Sequence, residues 1–402
     1  NRIRKAYKMI LTDKQNKGLK IAIDRYAKGK KYTVISGYAG TGKTTLVKFI
    51  IDALSNYNID AKTEVCYAAY TGKAAEVLRK KGNKNAITLH KLLYDFFPKR
   101  DGTFFRKPKE ELEYKIVVVD EVSMAPKELM ERLFKYNVYV ICLGDPFQLP
   151  PIDKKEDNHL LDNPHIFLDE VMRQAAESEI IQLTMKIRNK EPIPFMQGKE
   201  VQVIKKEELN TGMLLWADQI LVATNNTRNN INQQMRQLLG KGDKPEEGDK
   251  IICLRNYWEN SDMKGENILV NGTVGYIKDC YSYSVKPKLP GKNINIDVLN
   301  ANFTTDDGIN FGSLEIDKQM LSTEKPCVDW KTSFMLSKKY KENNPVPKEF
   351  AYAYAVTCHK AQGSEWDKVL VLEERFPFDE EEHARWLYTA CTRASERLVL
   401  VR

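Results

Sequence analysis

The chain has 402 residues, 42% of them apolar and 29% charged, an ordinary globular composition that excludes a disordered or collagen-like polymer. Lys and Arg number 63 against 55 Asp and Glu, for a formal charge of +8. That excess suits a polyanionic partner, although many metabolic enzymes are as basic. No run is apolar for much longer than Ile116–Val119, so no segment spans a bilayer and no membrane partner is expected.

The opening residues carry Arg2, Arg4, Lys5 and Lys8, which is not a signal-peptide pattern. Asn1 in place of Met points to trimming, and an upstream extension stays open. Seven scattered cysteines without a C-x-x-C pair read as a cytoplasmic protein with neither zinc site nor disulfide framework.

In chain order, Tyr32–Gly37 reads as a buried strand and Lys43–Tyr57 as an amphipathic helix with Leu46, Phe49, Ile50, Ala53 and Leu54 on one face. Strand-like Glu64–Ala69, helix-like Thr71–Lys81, strand-like Lys115–Asp120, helix-like Ala125–Tyr136 and strand-like Val138–Asp145 follow. Near-continuous apolar strands alternating with helices specify an α/β fold with a parallel sheet covered on both faces.

The pattern resumes in Gln219–Thr224 with helix-like Asn225–Leu239. It returns in Phe350–Val356, Lys368–Glu373 and Arg397–Val401, with helix-like His383–Ala394 between the last two. Residues 256–346 differ: short alternating runs (Asn267–Val270, Val274–Lys278, Ile294–Leu299) are broken by Asn-Gly, Pro-Gly and Asp-Gly turns, as in a small β-rich insert. Tyr94–Tyr114 has two aromatic pairs around an Asp-Gly turn and reads as a projecting hairpin.

Gly37–Thr44, GYAGTGKT, fits G-x-x-x-x-G-K-[ST] between an apolar strand and a helix. Gly37, Gly40, Thr41, Gly42, Lys43, Thr44 and Thr45 are the expected phosphate-binding residues. Such a loop turns backbone N–H groups and a helix N-terminus toward phosphates. Lys43 would reach the β- and γ-phosphates of ATP, and the Thr44 hydroxyl would ligate magnesium. Asp120 and Glu121 follow four consecutive β-branched residues. Asp120 is placed to bind the same magnesium and Glu121 to polarise a water for hydrolysis.

DEVSM (Asp120–Met124), GDPFQLPP (Gly144–Pro151), TCHKAQGSEWD (Thr357–Asp367) and YTACTRASERL (Tyr388–Leu398) resemble, in this order, motifs of superfamily 1 helicases. They are similar to the 5′→3′ branch containing RecD and the phage protein Dda, from Thr12 to the C-terminus. The resemblance implies that Gln15 reads the adenine edge; Gln15 also reads as a surface residue of a first helix. It further implies that Gln148 senses the γ-phosphate, that Arg173 and Arg393 are arginine fingers facing a cleft between two domains, and that Glu365 lies near the ribose.

By the same resemblance Thr71, Lys73, Thr88 and His90 contact a single strand from the first domain, and Thr357, His359 and Gln362 from the second; Tyr70, beside Thr71, could itself stack on a base. Tyr70 stands where the family usually has Pro. Phe104 and Phe105 would form a strand-separating wedge, supported by Phe96 and Phe97; the four aromatics also read as the core of a small hairpin.

The implied architecture is two RecA-like parallel-sheet domains. Residues 1–175 form the first, with a β-hairpin insert at 94–114, and residues 176–255 and 347–402 the second, with a small SH3-like β-barrel insert at 256–346. The implied activity is ATP- and magnesium-dependent 5′→3′ translocation on single-stranded DNA with duplex separation at fork junctions. Single-strand-binding or replication proteins are further expected partners, and a monomer is the expected state. Two alternatives stay open: an accessory DNA-binding subunit of a recombination or replication complex, and a translocase that remodels protein–DNA or RNA without unwinding.

Overall fold

A computed structural model describes residues 11–98, 104–150, 157–261, 268–287, 294–306, 308–323, 325–329, 332, 347–375 and 379–402. The chain divides into two units. One comprises Asn1–Tyr70, Ala74–Leu93 and Glu110–Glu191, and the other Thr71–Lys73, Tyr94–Lys109 and Pro192–Arg402.

In the first unit the β-branched runs become a six-stranded sheet in the order Ile87–Thr88, Val65–Ala69, Ile116–Val119, Tyr139–Gly144, Tyr32–Gly37, Ile166–Leu168. Every neighbouring pair is parallel. Ile116–Val119 and Tyr139–Gly144 are buried along their whole length, as a sheet covered on both faces requires. Ile35, Leu46, Ile50, Ile116 and Ile141 form its core with Leu19 and Ile23 of the helix Asp13–Ala27. Because the strands run parallel, Gly37 and Asp120 fall at the same, carboxyl edge, where open α/β sheets place their ligands.

The second unit contains a further six-stranded sheet, ordered Ala355–Thr357, Gln219–Val222, Trp366–Leu372, Ala394–Val401, Val201–Ile204, Met196–Gln197. Its strands are parallel except the last. A separate antiparallel sheet orders Asn310–Asp317, Ile296–Thr305, Val274–Val285, Lys250–Cys253 and Phe350–Tyr352. Phe303, Phe350, Leu299, Leu314 and Ile316 form its core. Lys348 bonds Glu315 O and Asp317 N (2.7 and 2.9 Å), which curls one edge of this sheet toward the other.

Several expectations change in detail. Phe350–Val356, expected as one strand, is two: Phe350–Tyr352 belongs to the antiparallel sheet and Ala355–Thr357 to the parallel one. Buried amides make the crossover possible. Gln219 Nε2 donates to Ala353 O and Tyr354 O, and Asn232 Nδ2 to Tyr352 O and Ala355 O, at 3.0–3.1 Å, so the carbonyls leaving one ladder stay paired before entering the next.

The strand expected at Val274–Lys278 continues to Val285 through a bulge between Ile277 and Cys280. The helix expected at His383–Ala394 starts earlier and covers Glu380–Cys391, because Asp379 caps it by accepting from Glu382 N at 2.7 Å.

Tyr94–Pro98 and Phe104–Pro108 pair antiparallel, with Phe97 opposite Phe105. The turn between them and the side chains of Phe96, Phe104 and Phe105 lie outside the described residues. Among the described residues, no helix is long and apolar enough to cross a membrane.

Candidate nucleotide site and nucleic-acid contacts

The phosphate loop leaves its strand at Gly37 and enters the helix Lys43–Leu54. Gly40 and Gly42 take φ of +75° and +78°, a left-handed conformation that favours glycine. Space adds to the requirement: a Cβ on Gly42 would lie 2.4 Å from Met172 Sδ and 2.5 Å from Gln15 Nε2. No side chain caps the helix start, which leaves the N-terminus of the dipole for an anion. Lys43 Nζ donates to Gly37 O at 2.6 Å and Tyr38 O at 3.0 Å. Thr41 is buried and donates its hydroxyl to Tyr38 O at 2.8 Å, and Thr44 and Thr45 occupy the first helical turn.

Gln15 is only 1% exposed. Its Oε1 accepts from Thr12 N at 3.0 Å in a capping box, and its Nε2 donates to Thr41 O at 3.2 Å. The structure thus places Gln15 beneath the loop, as a brace.

The strand Ile116–Val119 is followed by Asp120, whose N–H bonds Ala68 O at 3.0 Å and whose Oδ1 accepts from Glu121 N at 2.9 Å. Burial, and then the neighbouring Glu121 charge, push the Asp120 carboxyl up to about 6; Lys43 is among the cations that oppose them. Glu121 itself is left-handed, at φ 48° and ψ 48°, a strain of about 1–3 kcal/mol of the kind that gathers at functional sites. Asp145 is buried and accepts from Phe147 N at 2.9 Å, while its carbonyl accepts from Gln148 N at 3.3 Å. This tight turn places Gln148, 7% exposed, just beyond the strand Tyr139–Gly144. Met172 N bonds Gly40 O at 3.0 Å, which sets the Arg173 backbone beside the phosphate loop; the Arg173 side chain lies outside the described residues.

In the second unit Arg393 is 6% exposed. Its guanidinium donates to Thr389 O, Ser364 O and Thr392 Oγ1, each at 3.2 Å. Glu365 stands between Ser364 and Trp366, whose N–H bonds Arg393 O at 3.0 Å. Thr357 opens the helix Cys358–Ala361, with Gln362 just past its end. Burial holds the His359 imidazole below its usual pKa, and Lys360 donates to Asn271 at 3.3 Å.

Tyr70 and His90 come together, ring centroids 5.9 Å apart, and Thr88 Oγ1 accepts from Lys91 N at 3.2 Å. Thr71–Lys73 groups with the second unit. There a Cβ on Gly72 would lie 2.0 Å from Val270 Cγ2, so only glycine fits between Thr71 and Lys73.

Sequence reasoning missed two residues. Asn158 bonds the turn after Glu121. Glu374 accepts from Ala223 N, Thr224 N and the Thr224 and Thr227 hydroxyls at the start of the helix Asn225–Leu238. Neither belongs to a local pattern, so nothing in the sequence marks them.

A phosphate loop and an Asp-Glu pair stand at the carboxyl edge of one parallel sheet, the arrangement of the P-loop fold, and a second, largely parallel sheet follows. An AAA domain model matches residues 12–207 and a UvrD-like helicase C-terminal domain model residues 352–401. The chain is 26% identical to the ATP-dependent RecD2 DNA helicase of Deinococcus radiodurans, over 92% of this chain and 46% of that protein. It is 32% identical to the ATP-dependent DNA helicase Dda of Enterobacteria phage T4, over 37% of this chain and 34% of that one.

Two solved structures share the fold. A Pif1 helicase studied at forked double-stranded DNA has TM-score 0.54 and 18% identity. A Bacteroides Pif1 helicase in complex with ADP-AlF3 and single-stranded DNA has TM-score 0.52 and 19% identity. Each covers 98% of this chain and 92% of its own. The chain thus carries an AAA domain and a UvrD-like helicase C-terminal domain, and it is similar to the DNA helicases RecD2 and Dda. It spans about half the length of the RecD2 relative.

Proposed function

We propose that this protein is an ATP-driven DNA translocase that moves 5′→3′ on a single strand and separates duplex ahead of it. The observation that carries the reading is the convergence of Lys43, Thr44, Asp120 and Glu121 at one sheet edge, the arrangement that phosphoryl transfer to water requires. The names of the RecD2 and Dda relatives, both ATP-dependent DNA helicases, support the same activity.

Thr44 and Asp120 offer a hydroxyl and a carboxylate, hard oxygen donors that suit magnesium; the ion would supply charge neutralisation at the phosphates. Lys43 exchanges its bonds to Gly37 O and Tyr38 O for phosphate oxygens. Glu121 takes a proton from the attacking water, Gln148 reports the γ-phosphate, and Arg173 and Arg393 stabilise phosphoryl charge.

Tyr70, Thr71, Lys73, Thr88, His90, Thr357, His359 and Gln362 hold the strand through hydroxyls, amides and cations, which position a backbone without reading sequence. Phe104 and Phe105 form the wedge, and the curled antiparallel sheet around Phe303 is the SH3-like insert. The protein works as a cytoplasmic monomer.

Strand displacement on DNA and RNA duplexes with a 5′ tail, a 3′ tail or none tests this reading, with Lys43→Ala as control. The expected result is unwinding of 5′-tailed DNA alone, with Lys43→Ala losing ATP turnover while keeping strand binding. Turnover in Lys43→Ala overturns the nucleotide site, and unwinding from a 3′ tail overturns the polarity.

A further inference from the structure

Glu121 is the residue after which the chain must turn sharply, and its left-handed backbone is unfavourable for a side chain of that size. Something must hold it there. The turn that follows is a single 3-10 turn, Val122–Met124, closed by Met124 N to Glu121 O and Ala125 N to Val122 O, both 3.0 Å. Two bonds of that kind are only of the same order as the strain they oppose, so by themselves they hold the turn marginally.

A third element supplies the rest. Asn158 Nδ2 donates to Val122 O at 2.7 Å and to Ala125 O at 2.8 Å, so one amide spans the two ends of the turn. Asn158 is itself held, because its Oδ1 accepts from Leu160 N at 3.0 Å. The residues beside it are locked as well. His159, at φ 54°, has its N–H on Asp157 Oδ1 at 2.9 Å, and its Nδ1 lies 3.1 Å from Asp162 Oδ2.

The same short segment reaches the other sensor element of the site. A Cβ on Gly144 would lie 2.7 Å from Leu161 Cδ1, so Leu161 covers the end of the strand from which Asp145 and Gln148 turn. Asn158 and Leu161 therefore touch, within three residues, the turn after Glu121 and the strand end before Gln148.

We propose that Asn158 is a positioning residue for hydrolysis: its amide keeps the turn after Glu121 in the conformation that places this carboxylate, and Leu161 ties that turn to the Gln148 loop. The proposal rests on Glu121 being the base of the ATPase reading above. It assigns Asn158 an effect on the chemical step, transmitted through the Glu121 backbone, and none on nucleotide or strand affinity.

The test compares Asn158→Asp and Asn158→Ala with the unaltered chain. Asp keeps the volume and the acceptor for Leu160 N but removes both donors, which separates loss of the brace from loss of the fold. Single-strand-stimulated ATPase gives kcat and KM, a fluorescent ADP titration and an oligonucleotide titration give affinities, and single-turnover hydrolysis is repeated in a Glu121→Gln background.

The expected result is a fall in kcat of about tenfold or more in both variants, with KM and both affinities within about twofold. In the Glu121→Gln background Asn158→Asp adds no further loss, since residues acting as one unit are not additive. Wild-type kcat in Asn158→Asp overturns the proposal. So does a parallel loss of nucleotide and strand affinity, or a full independent loss on top of Glu121→Gln. Wild-type turnover in Glu121→Gln alone overturns the hydrolysis reading instead, so the two failures are told apart.

Discussion

The side-chain amide of Gln15 donates to the main-chain carbonyl of Thr41 at 3.2 Å, inside the protein and beneath the phosphate loop. Gln15→Ala strands that buried carbonyl, at a cost of about 1–3 kcal/mol, and frees the loop to leave its phosphate-binding shape. Nucleotide affinity should weaken by about tenfold, near the lower half of that range. The loss should be equal for ATP and CTP in competition titrations, because the amide serves the loop. A loss confined to ATP would show instead that Gln15 reads the base.

Glu121 combines a left-handed backbone with the role of hydrolytic base proposed above. Asn tolerates that conformation better than Glu does, and unlike Gly it adds no freedom to the unfolded chain. Glu121→Asn should therefore raise stability by up to about 1 kcal/mol while lowering ATP turnover by about 10²–10⁴-fold. Denaturant unfolding and steady-state ATPase on the same preparation check the pair of outcomes; a variant that loses both contradicts the strain argument.

Arg236 and Asp249 form a buried ion pair in the second unit at 3.0 Å, with side chains 8% and 0% exposed. Tyr354 Oη also donates to Asp249, at 3.0 Å, and Arg236 lies over the Tyr352 ring at 4.6 Å. The pair joins the helix Asn225–Leu238 to the point where the chain changes sheets. Arg236→Met leaves the Asp249 charge without its main partner and should destabilise by about 3–5 kcal/mol. Replacing both by apolar residues should recover much of that loss, and urea unfolding of the single and double variants reads the difference.

His359 sets a pH dependence whose sign follows from burial. Its folded pKa lies below the ordinary value, so between the ordinary value of about 6.5 and the folded one the unfolded chain binds more protons. Stability then falls as pH drops through that window and levels off below the folded pKa. The unfolding midpoint should drop more between pH 7.5 and 5.5 in the unaltered chain than in His359→Gln. An equal drop in both removes His359 from the effect.

Local patterns reveal some parts of the site and not others. Gly40, Gly42, Lys43 and Thr44 are legible because a phosphate loop is made by consecutive residues whose backbone needs are visible in the sequence. Asp120 is legible because four β-branched residues bury a strand and leave the next position at its edge. The roles of Gln15 and Arg393 are different. Both are polar, and polarity suggests exposure; yet Gln15 is buried under Thr41, and Arg393 bonds Ser364 O and Thr389 O within its own unit. The split of Phe350–Val356 is hidden for the same reason, since the amides of Gln219 and Asn232 that permit it come from far along the chain.

By itself the sequence determined the α/β alternation, the phosphate loop and the acidic pair, because periodic burial and short-range backbone demands leave direct marks on neighbouring residues. The tertiary structure alone decided which polar groups meet: Gln15 with Thr41, Asn158 with Val122 and Ala125, Arg236 with Asp249. A buried donor or acceptor must find a partner wherever the fold brings one, and no local pattern records a partner that arrives from a distant segment.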